Sequence, residues 1–258
     1  MADKSTLSPG LELLSRDIRV DITRLYCVLR TLDDLVDEDH PQAALRVDAV
    51  ERWVRGHQAD TLETRTLADL SRRYPLSPQP LMEFCRGMRH DMARSTIDTE
   101  DDLERYCQQA GGSIGVMVAQ FLGTTRPDGE VKIATLGRAL QRTNILRDLD
   151  EDHAHGHVYI ARTTIERFGF PTPGAREALL QDQIARADTL YEEGFSAIPL
   201  LCSGRRAASL STALYREILR QIERDGYGRR PGRVTVPAWR VRLLIAKHRI
   251  RNIGLSDQ

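Results

Sequence analysis

The sequence of 258 residues contains no run of eighteen apolar residues, so nothing in it predicts a membrane-spanning helix. The opening residues, MADKSTLSPG, lack the basic and then apolar order of a signal peptide. There are only four cysteines, which lie far apart and form no CxxC pair: Cys27, Cys85, Cys107 and Cys202. They predict core thiols in a reducing compartment and argue against a disulfide framework or a cysteine zinc site. We therefore expect a cytoplasmic protein.

An excess of charge of one sign is also missing. The 37 lysines and arginines balance 37 acidic residues, so the composition gives no indication of a nucleic-acid partner. Aromatic residues make up only 5% of the chain, and no G-x-G-x-x-G dinucleotide fingerprint occurs. The apolar fraction of 41% is nevertheless ordinary and can fill a sizeable core.

What the sequence does contain is helical periodicity. Apolar residues recur at three- and four-residue spacing along almost the whole chain, whereas the strand-like runs at 158–160 and 234–236 are too short to build a sheet. We expect an all-α single domain over residues 1–258. The predicted helices are 8–38, 43–58, 77–97, 100–122, 128–152, 174–198, 206–226 and 237–252.

Two of these helices carry polar stripes that include acidic residues. Residues at spacing i, i+4, i+7 and i+11 fall within an arc of roughly 60°; in the first stripe they are Tyr26, Arg30, Asp33 and Asp37. Those of the second stripe fall within about 80°; they are Gln141, Asn144, Asp148 and Asp152. Apolar residues lie beside both stripes, which indicates that each stripe borders a packed face.

Such stripes have a direct chemical reading. Carboxylates at i, i+4 repel, so a pair that faces inward needs a compensating cation. Oxygen ligands on a partly hydrated site suit Mg²⁺, which completes its shell with water and substrate phosphate. Two opposed stripes would hold a diphosphate, and Arg30 and Arg147 could add charge-assisted hydrogen bonds. From the spacing alone, two solvated helix faces explain the pattern as well as a metal–phosphate site does.

Read together, YCVLRTLDDLVDE (26–38) and LQRTNILRDLDEDHAHGHVYI (140–160) resemble the two signature motifs of the squalene/phytoene synthase family. Three further stretches agree in order and rough spacing: GMRHDM (87–92), YCQQAGGSIG (106–115) and IERDGYGRRPGRVTVP (222–237). The resemblance implies an all-α isoprenoid synthase bundle with a central cavity. It also implies a prenyltransferase that joins two prenyl diphosphates, farnesyl or geranylgeranyl, head to head through a cyclopropylcarbinyl diphosphate. The product would be squalene-, dehydrosqualene- or phytoene-like.

By motif position, the resemblance also implies roles for individual residues. The catalytic set would be Asp33, Asp37, Asp148, Asp152 and Tyr106. The ligands of Mg²⁺, with Mn²⁺ as the alternative, would be Asp33, Asp37, Asn144, Asp148 and Asp152. The substrate-binding set would be Lys4, Ser5, Tyr26, Arg30, Gln141, Arg147 and Tyr227. The sequence leaves open whether NADPH reduces the product, and it gives no indication of oligomeric state.

The chain departs from the family pattern at two places. His157, Ile160 and Ala161 stand within the stretch that usually reads R-x-Y-[LF]-P, and Arg142 stands where an apolar residue is common. These departures leave substrate length and product open.

Other functions are compatible with parts of this pattern. The same fold could serve a terpene synthase or a prenyl coupling enzyme of different regiochemistry. A non-catalytic assembly factor would be expected to lose one carboxylate set, and this chain keeps both. The His90–Asp91 pair suggests a phosphohydrolase only if further ligands such as His153, His155 or His157 join it. GGSIG (111–115) lacks the Lys–Ser/Thr of a P-loop, so a bent helix or a close approach of a prenyl chain is favoured.

The C-terminal residues form a basic amphipathic stretch. Between Arg229 and Arg251 there are eight basic residues and no acids, with apolar residues such as Val241 and Leu244 among them. This pattern suits peripheral contact with anionic lipid. A surface helix packed on the bundle is nevertheless the favoured interpretation.

Overall fold

The computed structural model describes residues 8–251. All the regular secondary structure in this range is helical. No strand occurs among them, only one isolated antiparallel bridge between Thr124 and Leu201. A π-helical turn spans Gln108–Gly112, and a 3₁₀ turn spans Ile198–Leu200. The α-helices are α1 Ser8–Leu11, α2 Arg16–Asp37, α3 Ala43–Val54, α4 Leu62–Ser71, α5 Pro78–Met92, α6 Glu100–Cys107, α7 Ser113–Leu122, α8 Gly129–Ala154, α9 Arg162–Phe168, α10 Glu177–Phe195, α11 Arg205–Arg224 and α12 Ala238–Arg251.

The all-α prediction is confirmed, with three local differences. The predicted helix 8–38 is two helices, α1 and α2. Helix α4 was missed, although Thr61 caps it: the Thr64 amide donates to the Thr61 hydroxyl at 3.2 Å, and the Thr61 amide donates to Thr64 Oγ1 at 3.0 Å. Helix α9 was also missed, because its seven residues are too few to show a clear period.

Helix α8 occupies the centre of the bundle. It packs against α6, α7, α10 and α11, and the buried apolar side chains form one continuous core around these helices. The apolar stripe predicted beside the first acidic stripe is buried, since Leu25, Leu29, Leu32 and Val36 are each at most 4% exposed. The two acidic stripes therefore belong to helices that are anchored along their length by the core.

The segment GGSIG produces a helix distortion and a close helix contact. The π-helical turn lies between α6 and α7, and helix α6 precedes it rather than a strand. Gly111 approaches Gly137 of α8 so closely that a Cβ on Gly111 would lie inside van der Waals contact of the Gly137 carbonyl oxygen and 2.6 Å from the Gln141 Cβ. The π-helical turn interrupts the regular helix at these glycines, and Gly111 packs directly against the acidic helix α8.

This contact makes Gly111→Ala a destabilising change. The new Cβ would force the backbones at Gly111 and Gly137 apart. We expect this strain to lower the free energy of unfolding by about 1–3 kcal/mol in a urea titration. The control is Gly112→Ala in the same turn, where the three atoms nearest the added Cβ all belong to the end of the flexible Gln108 side chain. Equal losses in the two variants would contradict a specific backbone contact at Gly111.

Arg142 is buried in an ionic network. Its side chain is 4% exposed, and Nη1 lies 3.1 Å from Glu100 Oε2 and 2.6 Å from Gln183 Oε1. Nη2 lies 3.4 Å from Glu104 Oε2. The network joins α6, α8 and α10 on the side of α8 away from the acidic stripe.

Removing Arg142 would leave two carboxylates without their buried partner. We expect Arg142→Ala to lower the free energy of unfolding by about 3–5 kcal/mol. Arg186 also approaches Glu100, at 3.9 Å, but its side chain is 44% exposed, so Arg186→Ala should cost at most about 1 kcal/mol. A comparable loss in both variants, measured by chemical denaturation, would show that burial does not set the strength of this network.

The cysteines fit the prediction in part. All four are free thiols, but only Cys85 and Cys107 lie in the core, where burial raises the pKa of each to about 12. The prediction of core thiols is wrong for Cys27 and Cys202, which are exposed. Cys27 lies on the outer face of α2, nearly opposite the apolar stripe.

Over residues 8–251, none of the helices combines the length and the apolar character that crossing a bilayer requires.

Candidate active site

The first stripe lies along the inner edge of α2. Arg30 Nη1 is 3.2 Å from Asp33 Oδ2, and Arg30 Nη2 is 2.7 Å from Asp34 Oδ1. Tyr26, one turn earlier, keeps 39% of its surface exposed. The arginine therefore neutralises carboxylates of its own helix and remains accessible for an anion.

The second stripe lies along α8. Arg147 Nε and Nη2 grip Asp148 at 2.8 and 2.6 Å, a bidentate pair. The Tyr215 hydroxyl of α11 lies beside this guanidinium. Gln141 and Asn144 are one turn apart, with Asn144 Nδ2 3.5 Å from Gln141 Oε1.

The two stripes face each other, and their charges are poorly compensated. Burial and the neighbouring Asp37 charge raise the pKa of Asp33 to about 7. Burial and the negative charges of Asp148 and Asp37 raise the pKa of Asp152 to about 8. The C-terminal end of α2, which carries Asp37, therefore lies close to the C-terminal end of α8, which carries Asp152. The Asp33 side chain keeps 36% of its surface exposed, which places it in a recess that is crowded by protein but open on one side.

These residues fit a divalent cation held with the help of a substrate phosphate. Within residues 8–251, Asn144 Oδ1 is buried and has no hydrogen-bond partner, and an amide oxygen is a ligand suited to Mg²⁺. No three acidic, histidine or cysteine side chains of the described residues already converge as a metal cluster. A site divided between two helices suits the coordination preference of Mg²⁺, which typically binds one or two carboxylates together with phosphate and water oxygens.

Beside the stripes, Asp91 of α5 is the centre of a buried aromatic cluster. Its carboxylate accepts hydrogen bonds from Tyr106 at 3.1 Å and from Tyr159 at 3.0 Å, and the two phenol rings stack with centroids 5.0 Å apart. Tyr106, predicted to be catalytic, is 4% exposed. Asp91 also raises the pKa of Asp37, after burial, so this cluster adjoins the acidic recess.

Among the histidines of the phosphohydrolase alternative, His90 lies beside Asp91, with Nδ1 3.6 Å from Asp91 Oδ1, and His157 lines the same pocket. The oxygens of that carboxylate are taken by the two phenols, and His155 Nδ1 instead lies 2.8 Å from the Glu151 carbonyl. His157 packs parallel to Tyr159 with ring centroids 5.7 Å apart, and it is near enough to Asp37 to affect the pKa of that carboxyl.

Residues 226–237, here named the closing loop, pass across the end of α8. Asp150 binds the buried Arg176 at 2.8 Å and accepts from the Gly232 amide at 2.7 Å, while Arg176 donates to the Gly228 carbonyl at 3.1 Å. Tyr227 lies in this loop in a left-handed conformation, with φ of 55°, and is partly buried against the core. The loop thus begins beside the site and is tied to the helix that carries the second stripe.

Arg233 of the closing loop reaches the second stripe itself. Its Nε lies 3.4 Å from Asp148 Oδ1, and its Nη1 lies 3.3 Å from Glu151 Oε2. The predicted substrate-binding residues Lys4 and Ser5 lie outside the described residues. All the other predicted site residues belong to α2, α8, the aromatic cluster or the closing loop.

Reasoning from the sequence assigned none of four residues of this region to the prenyltransferase site. Asp91, Tyr159, Tyr215 and Arg233 come from four different segments, and only the fold brings them to the recess. A polar group within an apolar helical stripe was the available signal for Asp91 and Tyr215. For Arg233 the sequence offered only its membership of a basic stretch.

Comparison with known proteins agrees with this geometry. The squalene/phytoene synthase family model matches residues 3–240. The 15-cis-phytoene synthase of Synechococcus elongatus is 32% identical, over 90% of this chain and 83% of its own length. The phytoene synthase of Thermus thermophilus is 31% identical, over 95% and 88%.

Solved structures show the same arrangement of helices. A crystal structure of a dehydrosqualene synthase in complex with ligand superposes with a TM-score of 0.86 at 27% identity, covering 96% of this chain and 92% of that one. A squalene synthase from Alicyclobacillus acidocaldarius gives a TM-score of 0.76 at 26% identity, covering 88% and 90%. The bundle is thus the helical isoprenoid synthase fold.

Within that fold class, the chain belongs to the squalene/phytoene synthase family. It is a prenyltransferase that condenses two prenyl diphosphates head to head. The prediction made from the two signature motifs is confirmed at this level.

Proposed function

We propose that the enzyme uses Mg²⁺, with Mn²⁺ as the alternative, to condense two farnesyl or two geranylgeranyl diphosphates between α2 and α8. The product would be squalene-, dehydrosqualene- or phytoene-like and would form through a cyclopropylcarbinyl diphosphate. The observation that carries this proposal is the opposition of Asp37 and Asp152, because burial and neighbouring carboxylates raise the pKa of each. Such crowded carboxylates are stabilised when a cation and its phosphate ligand arrive.

Each residue would have a distinct role. Asp33, Asp37, Asn144, Asp148 and Asp152 would hold the cation, which as a Lewis acid favours departure of the diphosphate. The donors to the diphosphate would be Tyr26, Arg30, Gln141, Arg147 and Tyr227, together with Lys4 and Ser5. When the diphosphate binds, Arg30 and Arg147 would exchange their present carboxylate partners for phosphate oxygens.

The aromatic cluster would protect the reacting carbons. When the allylic C–O bond breaks, its electron pair leaves with the diphosphate oxygen, and the remaining carbocation must be kept from water. Tyr106 and Tyr159 stack on each other, and Asp91 accepts a hydrogen bond from each hydroxyl, so the two rings would form a rigid wall that helps to exclude water from the reacting carbons. This arrangement favours coupling over hydrolysis.

The test is a paired-substrate assay. The protein with Mg²⁺ is incubated with farnesyl or with geranylgeranyl diphosphate, each with and without NADPH, and the product mass is measured. A C30 or C40 hydrocarbon would support the proposal, and the NADPH arm would show whether it is reduced. A C15 or C20 product made from one diphosphate would instead indicate the terpene synthase alternative.

A non-catalytic role does not suit this chain, because it belongs to a family of prenyltransferases and keeps both carboxylate sets. We further propose a cytoplasmic location. Contact with a bilayer is a separate proposal that depends on α12 alone.

A further inference from the structure

Asp150 lies on the side of α8 that faces away from the acidic stripe. It stands two residues after Asp148 and two before Asp152, so at about 100° per residue it points roughly 160° away from both. Its carboxylate instead binds Arg176, with Oδ1 2.8 Å from Nη1 and Oδ2 2.9 Å from Nη2. The Arg176 side chain is only 3% exposed, so this bidentate ion pair is shielded from water.

The ion pair uses its remaining hydrogen-bonding capacity on the closing loop. Arg176 Nε donates to the Gly228 carbonyl at 3.1 Å, and Nη2 donates to the Arg230 carbonyl at 3.4 Å. Asp150 Oδ2 accepts from the Gly232 amide at 2.7 Å. Three alternate residues of the loop therefore bind one ion pair. Gly228 packs so tightly on it that a Cβ there would lie 2.4 Å from Arg176 Nε.

From this anchor the loop passes around α8 to the acidic stripe. Arg233 directly follows the anchored Gly232, and its Nε lies 3.4 Å from Asp148 Oδ1. Its Nη1 lies 3.3 Å from Glu151 Oε2. Because one residue separates the anchor from the arginine, the contact of Gly232 with Asp150 determines where the Arg233 guanidinium can reach.

Arg233 by itself is a weak anchor for such a loop. Its side chain is 43% exposed, and ion pairs in contact with solvent contribute little. The loop is also costly to order, because glycine loses more conformational freedom than any other residue, and Gly226, Gly228 and Gly232 all have positive φ. The buried ion pair is thus the contact that fixes the loop.

We propose that Asp150 and Arg176 are positioning residues of the diphosphate site, which fix the closing loop around α8 so that Arg233 stays at the second stripe. Neither residue would touch the substrate. The proposal rests on the proposed function, in which diphosphate binds at this stripe. A loop that is already ordered adds no ordering cost to diphosphate binding, so the ion pair would raise the affinity for the substrate.

The test removes both charges of the pair together. Asp150→Asn with Arg176→Gln leaves no buried charge unpaired, so the helices should stay folded by circular dichroism. The matched control is Arg46→Gln with Glu63→Gln, a bidentate pair that joins α3 to α4 and has Arg46 Nε 2.9 Å from Glu63 Oε2. Gly228→Ala displaces the loop by a second route that leaves both charges in place.

Tryptic cleavage of the native protein measures the anchoring of the loop. The bond between Arg229 and Arg230 lies between the two anchored carbonyls, and both side chains are exposed. Cleavage there requires local opening of the backbone, so its rate follows the open population. We expect the fragment that ends at Arg229 to appear at least about tenfold faster in the double variant and in Gly228→Ala, and at the wild-type rate in the control pair.

Calorimetry with inorganic diphosphate and Mg²⁺ measures the effect on the site. The double variant should bind about tenfold more weakly, because only a fraction of its molecules would have the loop in place. In the coupling assay the same factor should appear in KM with kcat unchanged, whereas general destabilisation would lower the amount of active enzyme. In an Arg233→Gln background the double variant should cause little further loss of affinity, since the loop would have no cation left to position.

Faster cleavage together with a loss of affinity that depends on Arg233 supports the proposal. Wild-type cleavage and affinity in the double variant overturn it, as does an equal loss in the control pair or a loss that adds fully to that of Arg233→Gln. If the double variant does not fold, Gly228→Ala decides by the same measurements. A wild-type protein that binds no diphosphate with Mg²⁺ would refute the proposed function, whereas the cleavage rates would still show whether the ion pair holds the loop.

Discussion

Asp33→Asn is expected to reduce turnover by about 10²–10³-fold while leaving the metal-free protein folded and at least as stable as the wild type. Asn keeps the shape of the side chain but removes a charge that burial and Asp37 already disfavour, as the raised pKa of about 7 shows. The same charge is what the proposed cation requires. Turnover and stability should therefore change in opposite directions.

The measurement is the rate of diphosphate release with saturating Mg²⁺, together with thermal unfolding without metal. Asp17→Asn is a matched control, since Asp17 lies on the same helix but is exposed in its first turn. It should change the rate little. Wild-type turnover in Asp33→Asn would refute the assignment of the first stripe to the metal site, and an unfolded protein would refute the argument about crowded charges.

The second large effect is a dependence of stability on pH that Mg²⁺ removes. In the folded protein, Asp33 and Asp152 have pKa values of about 7 and 8. In the unfolded chain, the same carboxyl groups lose their protons near pH 4. The folded state therefore binds more protons between pH 4 and 8, so the stability of the metal-free protein falls as pH rises through this range. We expect a fall on the order of 2 kcal/mol, because solvent screens part of the charge.

Denaturation by urea at pH 6 and pH 9, with EDTA or with Mg²⁺, checks this expectation. Bound cation should flatten the dependence, because it stabilises the ionised carboxylates. Asp152→Asn should flatten it in part without metal, which separates the contribution of this carboxyl from that of the histidines. A metal-free wild type that is equally stable at both pH values would show that the carboxylates are not crowded.

The acidic stripes show how far sequence reasoning could reach. The spacing of Tyr26, Arg30, Asp33 and Asp37 requires one helix face, since helical geometry alone relates positions three and four apart. The same holds for Gln141 through Asp152. Where the apolar periodicity is weak, the same reasoning fails. Helix α4 is such a case, because its only clear signal is the short capping pattern at Thr61.

The aromatic cluster shows where that reasoning stopped. Asp91 lies 15 residues from Tyr106 and 68 residues from Tyr159, and no local rule pairs an acid with phenols at such separations. Arg142 is a second example. The sequence marked it as a departure from an apolar position, but only the packing of α6 and α10 around α8 supplied the carboxylates and the amide that compensate its charge.

By itself, the sequence determined the helical class, the family, and the two faces that carry carboxylates, because periodicity and motif spacing are properties of a single segment. The tertiary structure alone decided that Asp37 is close enough to Asp152 to help raise the pKa of Asp152, that Arg233 reaches Asp148, and that Trp239 and Leu243 face outward. Those facts depend on how separate helices pack. Packing is set by the summed burial of the whole core rather than by any one segment of the chain.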